Sequence, residues 1–164
     1  MVYRYLDYQG IAAFYGIHNP IKVSTGILGQ CVEFIRRWYI INHNLTFPNI
    51  KSARDFKHVS YMTHISSGLK IKIDDIPFDD FSKLKVGDII VFKSINSYKP
   101  FGHLAVVTLI QKPNLVYLSE QNWPWTYRHC SRRLTKMDLV DIETIRRPIL
   151  KYYKCKSLEK KNKL

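Results

Sequence analysis

Cysteine is scarce in this chain of 164 residues: three in all, an odd number, with no CxxC pair. That argues against a disulfide framework and a zinc knuckle, and fits a reducing compartment. Long apolar runs are also missing. No stretch approaches the roughly 18 apolar residues of a membrane span. The segment Met1-Val2-Tyr3-Arg4-Tyr5-Leu6-Asp7 has no uninterrupted apolar run of the secretory kind, so a cytoplasmic location is expected. Repeats and low-complexity segments are absent except for a lysine-rich end. His18, His43, His58 and His64 stand at no metal-ligand spacing, and neither a metal nor an organic cofactor is expected.

Acidic residues are half as numerous as basic ones, 13 against 26, leaving a net charge of +13. Such a field draws polyanions, including nucleic acid, anionic lipid and wall polymers. Part of the excess is local. Lys151, Lys154, Lys156, Lys160, Lys161 and Lys163 make residues 151–164 a basic tail that reads as a solvated end. What remains, 1–150, has the length of one domain, and 46% apolar with 13% aromatic residues is the composition of a packed core.

The densest information lies in Gly29-Gln30-Cys31-Val32-Glu33-Phe34-Ile35-Arg36-Arg37-Trp38-Tyr39. Read as a helix from about Gln30 to Asn42, it puts Phe34, Ile35, Trp38 and Ile41 on the side of Cys31. Glu33 precedes Arg37 by one turn, the favourable order for a surface ion pair. Gly29 marks a tight turn into the helix. Cys31 then falls in the first turn, where unpaired N–H groups and the positive end of the macrodipole favour a thiolate. A nucleophile and a core cysteine both fit that position.

Ahead of the helix, residues 2–22 read as a loop with a short strand. After it, Ser52 caps a second helix reaching about Met62. Residues 63–83 are mixed and hold four carboxylates, Asp74, Asp75, Asp79 and Asp80. The period then changes. Val86–Phe92, Leu104–Ile110 and Leu115–Glu120 read as strands, with edge strands from Arg128 to Arg133 and Ile142 to Tyr152. Helices followed by an antiparallel meander make an α+β fold with N-terminal helices packed on the sheet.

His103 opens the second of those strands and Glu120 closes the third, with Gln121 and Asn122 next. A hairpin about Lys112-Pro113-Asn114 opposes residues whose numbers sum to roughly 223–226, which brings His103 to the Glu120–Asn122 end. An imidazole and a carboxylate or amide then meet at one sheet edge, where the helix can deliver Cys31. Thiol, base and orienting partner are the requirements of nucleophilic acyl transfer. In those roles Cys31 attacks a carbonyl carbon. His103 takes the thiol proton and later protonates the leaving amine. Glu120 fixes the ring tautomer, and the Cys31 N–H with the Gln30 amide binds the oxyanion. Cys130 and Cys155 lack a comparable setting.

The blocks Gly29–Trp38, Val86–Phe92, Gly102–Thr108 and Ser119-Glu120-Gln121-Asn122 resemble the motif blocks of the CHAP family of cysteine amidases and peptidases, within the papain-like NlpC/P60 superfamily. The first and last are most similar to the amidase domain of the bifunctional glutathionylspermidine and trypanothione synthetase/amidases. With Gly10-Ile11-Ala12-Ala13-Phe14 the resemblance covers about residues 8–150. It implies a CHAP-type amidase domain over 1–150, Cys31 as nucleophile, His103 as base, Glu120 as third member and Arg36 as a substrate contact. Asn122 and Trp123 join it as candidate substrate-binding residues, and Trp125 and Tyr127 as cleft walls or core.

Three readings follow. The first is an amidase acting on a glutathione–polyamine conjugate, with Arg36 or Arg37 receiving a carboxylate and the Asp74–Asp80 cluster facing the cation. Turn and cap duty is the competing account of those aspartates, and pairing with Glu33 that of both arginines, preferred for Arg37. The second keeps the chemistry and takes a peptidoglycan or peptide amide, which suits a basic protein reaching an anionic polymer by a virion-associated route. The third is a non-catalytic nucleic-acid-binding module using Arg132, Arg133, Arg146, Arg147 and the lysine tail.

Overall fold

The computed structural model describes residues 3–6, 12–15, 22–28, 30–79, 81–94, 100–112, 115–121 and 131–150. The fold is α+β. Two strand pairs stand first: β1 (Tyr3–Leu6) with β2 (Ala12–Tyr15), and β3 (Lys22–Val23) with β4 (Gly26–Ile27). The single α-helix of the described residues, α1, runs Cys31–His43. The remaining strands are β5 (Leu45–Thr46), β6 (Tyr61–His64), β7 (Lys70–Ile76), β8 (Ile89–Phe92), β9 (His103–Lys112), β10 (Leu115–Glu120), β11 (Ser131–Arg133) and β12 (Ile142–Pro148). These eight form one sheet in the order β11-β10-β9-β8-β12-β7-β6-β5, antiparallel throughout.

Helix α1 lies on one face of the sheet. Phe34, Ile35 and Trp38 are fully buried and meet Ile89, Val91, Leu104 and Val106 from β8 and β9. Each such side chain contributes about 1.5–3 kcal/mol by leaving water. The intervening residues Ile90, Phe92, Ala105 and Val107 point to the other face, where they pack with Phe81, Leu84 and Leu134. That is why β8 reads as a continuous apolar run: all four of its residues are buried, on two sides.

Several expectations need correction. Ile41 is 61% exposed, and Tyr39 takes the fully buried place instead. At 100° per residue the buried arc is centred nearer Ile35, which leaves Ile41 beyond its rim. The second helix is a 3₁₀ turn, Ala53–His58, capped reciprocally by Ser52 and Asp55. It stops because the apolar period becomes two: in β6, Met62 and His64 are buried while Tyr61 and Thr63 are half-exposed. The mixed segment contains strand β7, and the N-terminal loop contains β1 and β2.

The largest departure concerns Ile142–Pro148, expected at an edge and found in the middle. β12 sits between β7 and β8, so the sheet is no simple meander. Ile142 and Ile145 bury their apolar side chains. Arg146, 5% exposed, donates to the carbonyls of Phe56, Lys57 and Val59, fastening the 3₁₀ turn to the sheet. Arg147 clamps Asp88 with two bonds of 2.6 and 2.7 Å. Among the described residues no helix is long and apolar enough to cross a membrane.

Candidate active site

The site forms where α1 begins and the sheet ends. Gln30 is the extended N-cap of α1, its side chain making no capping bond, and Cys31 is the first helical residue. Gly29 lies outside the described residues. Cys31 is the rim of the core under the helix. On the sheet, β9 and β10 pair with two register shifts, and at the site end Glu120 lies opposite Ala105. That is two residues along β9 from His103, so both side chains rise from the same face as diagonal neighbours. They meet there: His103 Nε2 lies 3.1 Å from Glu120 Oε2, with both residues buried.

Gly102 sets the entry of His103. Its φ is +67°, and a Cβ built on it would lie 2.8 Å from the Phe92 carbonyl oxygen and 3.3 Å from the Arg54 nitrogen. A backbone passage so narrow in left-handed conformation takes glycine and little else. Past it the imidazole packs against the Phe92 ring, centroids 6.0 Å apart.

The electrostatics tie the three groups together. Burial pushes the Cys31 thiol up, but the His103 charge and hydrogen bond, with the backbone N–H groups of Leu104 and Val32, bring it below its ordinary value. Burial lowers the His103 ring's affinity for its proton. Cys31 on one side and Glu120 on the other outweigh it and raise the ring to about 9. Because Nε2 is taken by Glu120, Nδ1 is the nitrogen left for the thiol. A thiolate–imidazolium pair with a carboxylate behind it is an arrangement able to attack a carbonyl and return a proton.

Around this sits a polar network of which sequence reasoning had assigned the Glu33–Arg37 pair alone. Glu33, expected in a surface pair, is buried and accepts from Arg37 Nε at 2.7 Å, from Thr25 Oγ1 at 2.8 Å and from Gln121 Nε2 at 3.1 Å. Gln121 Nε2 also donates to the Gln30 carbonyl at 3.1 Å. The signal was in the sequence, since Gln121 follows Glu120 directly.

Arg36 is brought to a different task from the one expected. It is 7% exposed, donates to the carbonyls of Thr25 (2.6 Å) and Pro48 (3.2 Å), and stacks 4.5 Å from the Phe47 ring centroid. At five residues from Cys31 it lies about 140° around the helix, and its guanidinium is spent on the main chain. Asp74 pairs with Lys72, Asp79 with Lys83, and Asp75 with Thr144 and Arg146. Asp80, Asn122, Trp123, Trp125, Tyr127, Cys130, Cys155, His18 and the lysine tail lie outside the described residues. Among the described residues no group of three His, Cys, Asp or Glu is disposed to hold a metal ion.

A family model described as the CHAP domain matches residues 22–122, more than half of the chain. Two curated proteins, each named bifunctional glutathionylspermidine synthetase/amidase, one from Escherichia coli (strain K12) and one from Shigella flexneri, are 24% identical over 93 residues. The match covers 57% of this chain but only 15% of either relative.

Proposed function

The chain belongs to the CHAP-domain family, and from that premise we propose that it is a cysteine-dependent amide hydrolase working through an acyl-enzyme. The observation that carries the reading is the buried His103–Glu120 contact of 3.1 Å, with Cys31 on the other side of the same ring holding its thiol below the ordinary value.

In this mechanism the Cys31 sulfur, ionised beside the His103 imidazolium, attacks the carbonyl carbon of an amide. The tetrahedral oxyanion is received by the Cys31 backbone N–H at the start of α1 and by the Gln30 side-chain amide, where the helix dipole also favours negative charge. As the C–N bond breaks, His103 gives its proton to the departing amine. A thioester on Cys31 remains. Water then attacks it, His103 taking the water proton, and the acid leaves with the thiolate restored. Glu120 keeps the ring oriented and supports its positive charge through both halves. Every proton in the cycle passes through one imidazole.

For the substrate, the relatives' name supports a glutathione–polyamine amide. Arg36 and the paired aspartates lend that choice nothing, so Asn122 and Trp123 remain as the proposed substrate contacts. The net charge of +13 favours a second substrate, a peptidoglycan or peptide amide in an anionic polymer. The nucleic-acid-binding reading loses two supports, since Arg146 and Arg147 are committed to internal acceptors.

Purified protein incubated with glutathionylspermidine, and separately with purified cell wall, tests the reading through release of free amines. Turnover abolished by Cys31→Ala supports an amidase, and the substrate that turns over names the class. Wild-type protein inert on both, with salt-dependent nucleic-acid binding unchanged in Cys31→Ala, would overturn it.

A further inference from the structure

The Gln30 carbonyl and the Cys31 N–H are the two ends of one peptide group. No peptide bond among the described residues is cis, so the two point in opposite directions across a plane stiffened by resonance. Whatever grips the oxygen therefore aims the nitrogen. Among the described residues two donors grip it: the Phe34 N–H at 3.1 Å, an ordinary helical bond, and the side chain of Gln121, just past the end of β10, at 3.1 Å.

We propose that Gln121 is a positioning residue that holds and polarises the Gln30–Cys31 peptide, so that the Cys31 N–H meets an oxyanion in fixed geometry. The inference rests on the amidase reading and deepens it.

The carboxamide is locked into this duty. Gln121 is 3% exposed. Its Nε2 faces two acceptors, the Gln30 carbonyl and the Glu33 carboxylate, both at 3.1 Å, while its Oε1 faces the Arg37 guanidinium at 3.5 Å. Reversing the amide would set oxygen against two oxygens, so the network dictates the orientation. Glu33 is itself held by Thr25 and Arg37. A second hydrogen bond on one carbonyl increases the polarity of the whole peptide unit, which strengthens its N–H as a donor. Because Gln121 adjoins Glu120, the strand that carries the third member of the site also fixes the peptide of the nucleophile.

A network that merely fastened helix to strand would behave differently, and two substitutions separate the cases. Gln121→Met keeps the shape and removes both donors. Thr25→Val removes another donor to Glu33 without touching the Gln30 carbonyl. The readouts are thermal stability, the rate of Cys31 alkylation by iodoacetamide, amide turnover, and affinity for a peptide aldehyde whose hemithioacetal oxygen occupies the oxyanion position. Gln121→Met is expected to lower kcat and aldehyde affinity about 10-fold to 100-fold, short of the loss of a whole oxyanion donor. Its KM and alkylation rate should stay within roughly two-fold, since alkylation needs the thiolate but no oxyanion. Thr25→Val should lose comparable stability and keep aldehyde affinity. Equal losses in both variants, unchanged affinity in Gln121→Met, or a parallel fall in its alkylation would each overturn the inference. A wild-type Cys31 that fails to react with the aldehyde would defeat the amidase reading and this inference with it. Wild-type reaction with no Gln121 effect would defeat this inference alone.

Discussion

Glu120 and His103 touch although neither is the other's cross-strand partner. Glu120 pairs with Ala105, and only the diagonal brings Nε2 to within 3.1 Å of Oε2. The contact therefore depends on the register shifts of the β9–β10 hairpin as well as on the residues. Removing the carboxylate leaves the ring in place with nothing behind it. Glu120→Gln keeps an acceptor but loses the charge, and His103 should titrate below about 9, with kcat reduced. Glu120→Ala should cost more. NMR titration of the ring alongside turnover checks both, and an unshifted ring would contradict the assignment.

The thiol is the other support of that high value. Burial lowers the ring's affinity for its proton, and Cys31 raises it by charge and hydrogen bond. In Cys31→Ala burial and Glu120 remain, so the ring should titrate below about 9. In the wild type, kcat/KM should rise through the lowered pKa of Cys31 and fall as His103 loses its proton near 9, for then no acid remains to protonate the leaving amine. A profile flat from neutral to pH well above 9 would exclude His103 as that acid.

Gly102→Ala should damage fold and site together. A new methyl cannot yield when the obstacle is the Phe92 carbonyl at 2.8 Å, and the residue is held at positive φ. The cost should be about 1–3 kcal/mol of stability from the backbone alone, with kcat reduced because β9 begins one residue later. Denaturant melts and turnover of the same preparation measure the pair. Loss of neither would contradict the described passage.

The Asp88–Arg147 pair anchors β12 to the turn before β8. Asp88 is wholly buried and Arg147 covers both its oxygens, with the Lys85 N–H adding a third bond at 2.9 Å. Arg147→Ala should cost about 3–5 kcal/mol in urea melts, since it strands a buried charge. A loss under about 1 kcal/mol would mean the carboxylate had found water.

The helix and three strands that carry the site were legible because their signals are local. Cys31–His43 has a 3.6-residue stripe, and β8, β9 and β10 are dense in β-branched residues between turns. β10 runs Leu115–Glu120, as its turn signals predict. The meeting of His103 and Glu120 could be anticipated because hairpin register is arithmetic. What the sequence hid was non-local. Ile142–Pro148 looks like an edge strand until Arg146 is seen reaching three carbonyls of a turn nearly ninety positions earlier. Arg36 looks like a binding residue because its charge is visible and its acceptors, the Thr25 and Pro48 carbonyls, are backbone atoms that no side-chain pattern reports. Gln121 was marked only by its place beside Glu120, and its acceptors just before and on α1 stand 91 and 88 positions away. Ser52–Met62 kept its cap but lost its helix, because the strand pairing of Tyr61–Thr63 with Lys70–Lys72 overrode local preference.

The claim beneath all of this is that His103 ionises Cys31. It is tested most directly by the alkylation rate of each cysteine against pH, resolved by peptide mass spectrometry, in the wild type and in His103→Ala. The account predicts that wild-type Cys31 reacts below the ordinary thiol range, ahead of Cys130 and Cys155. In His103→Ala its midpoint should move up toward or beyond 9, because burial remains and the cation is gone. Three cysteines of equal reactivity, or a Cys31 midpoint indifferent to the loss of His103, would contradict it.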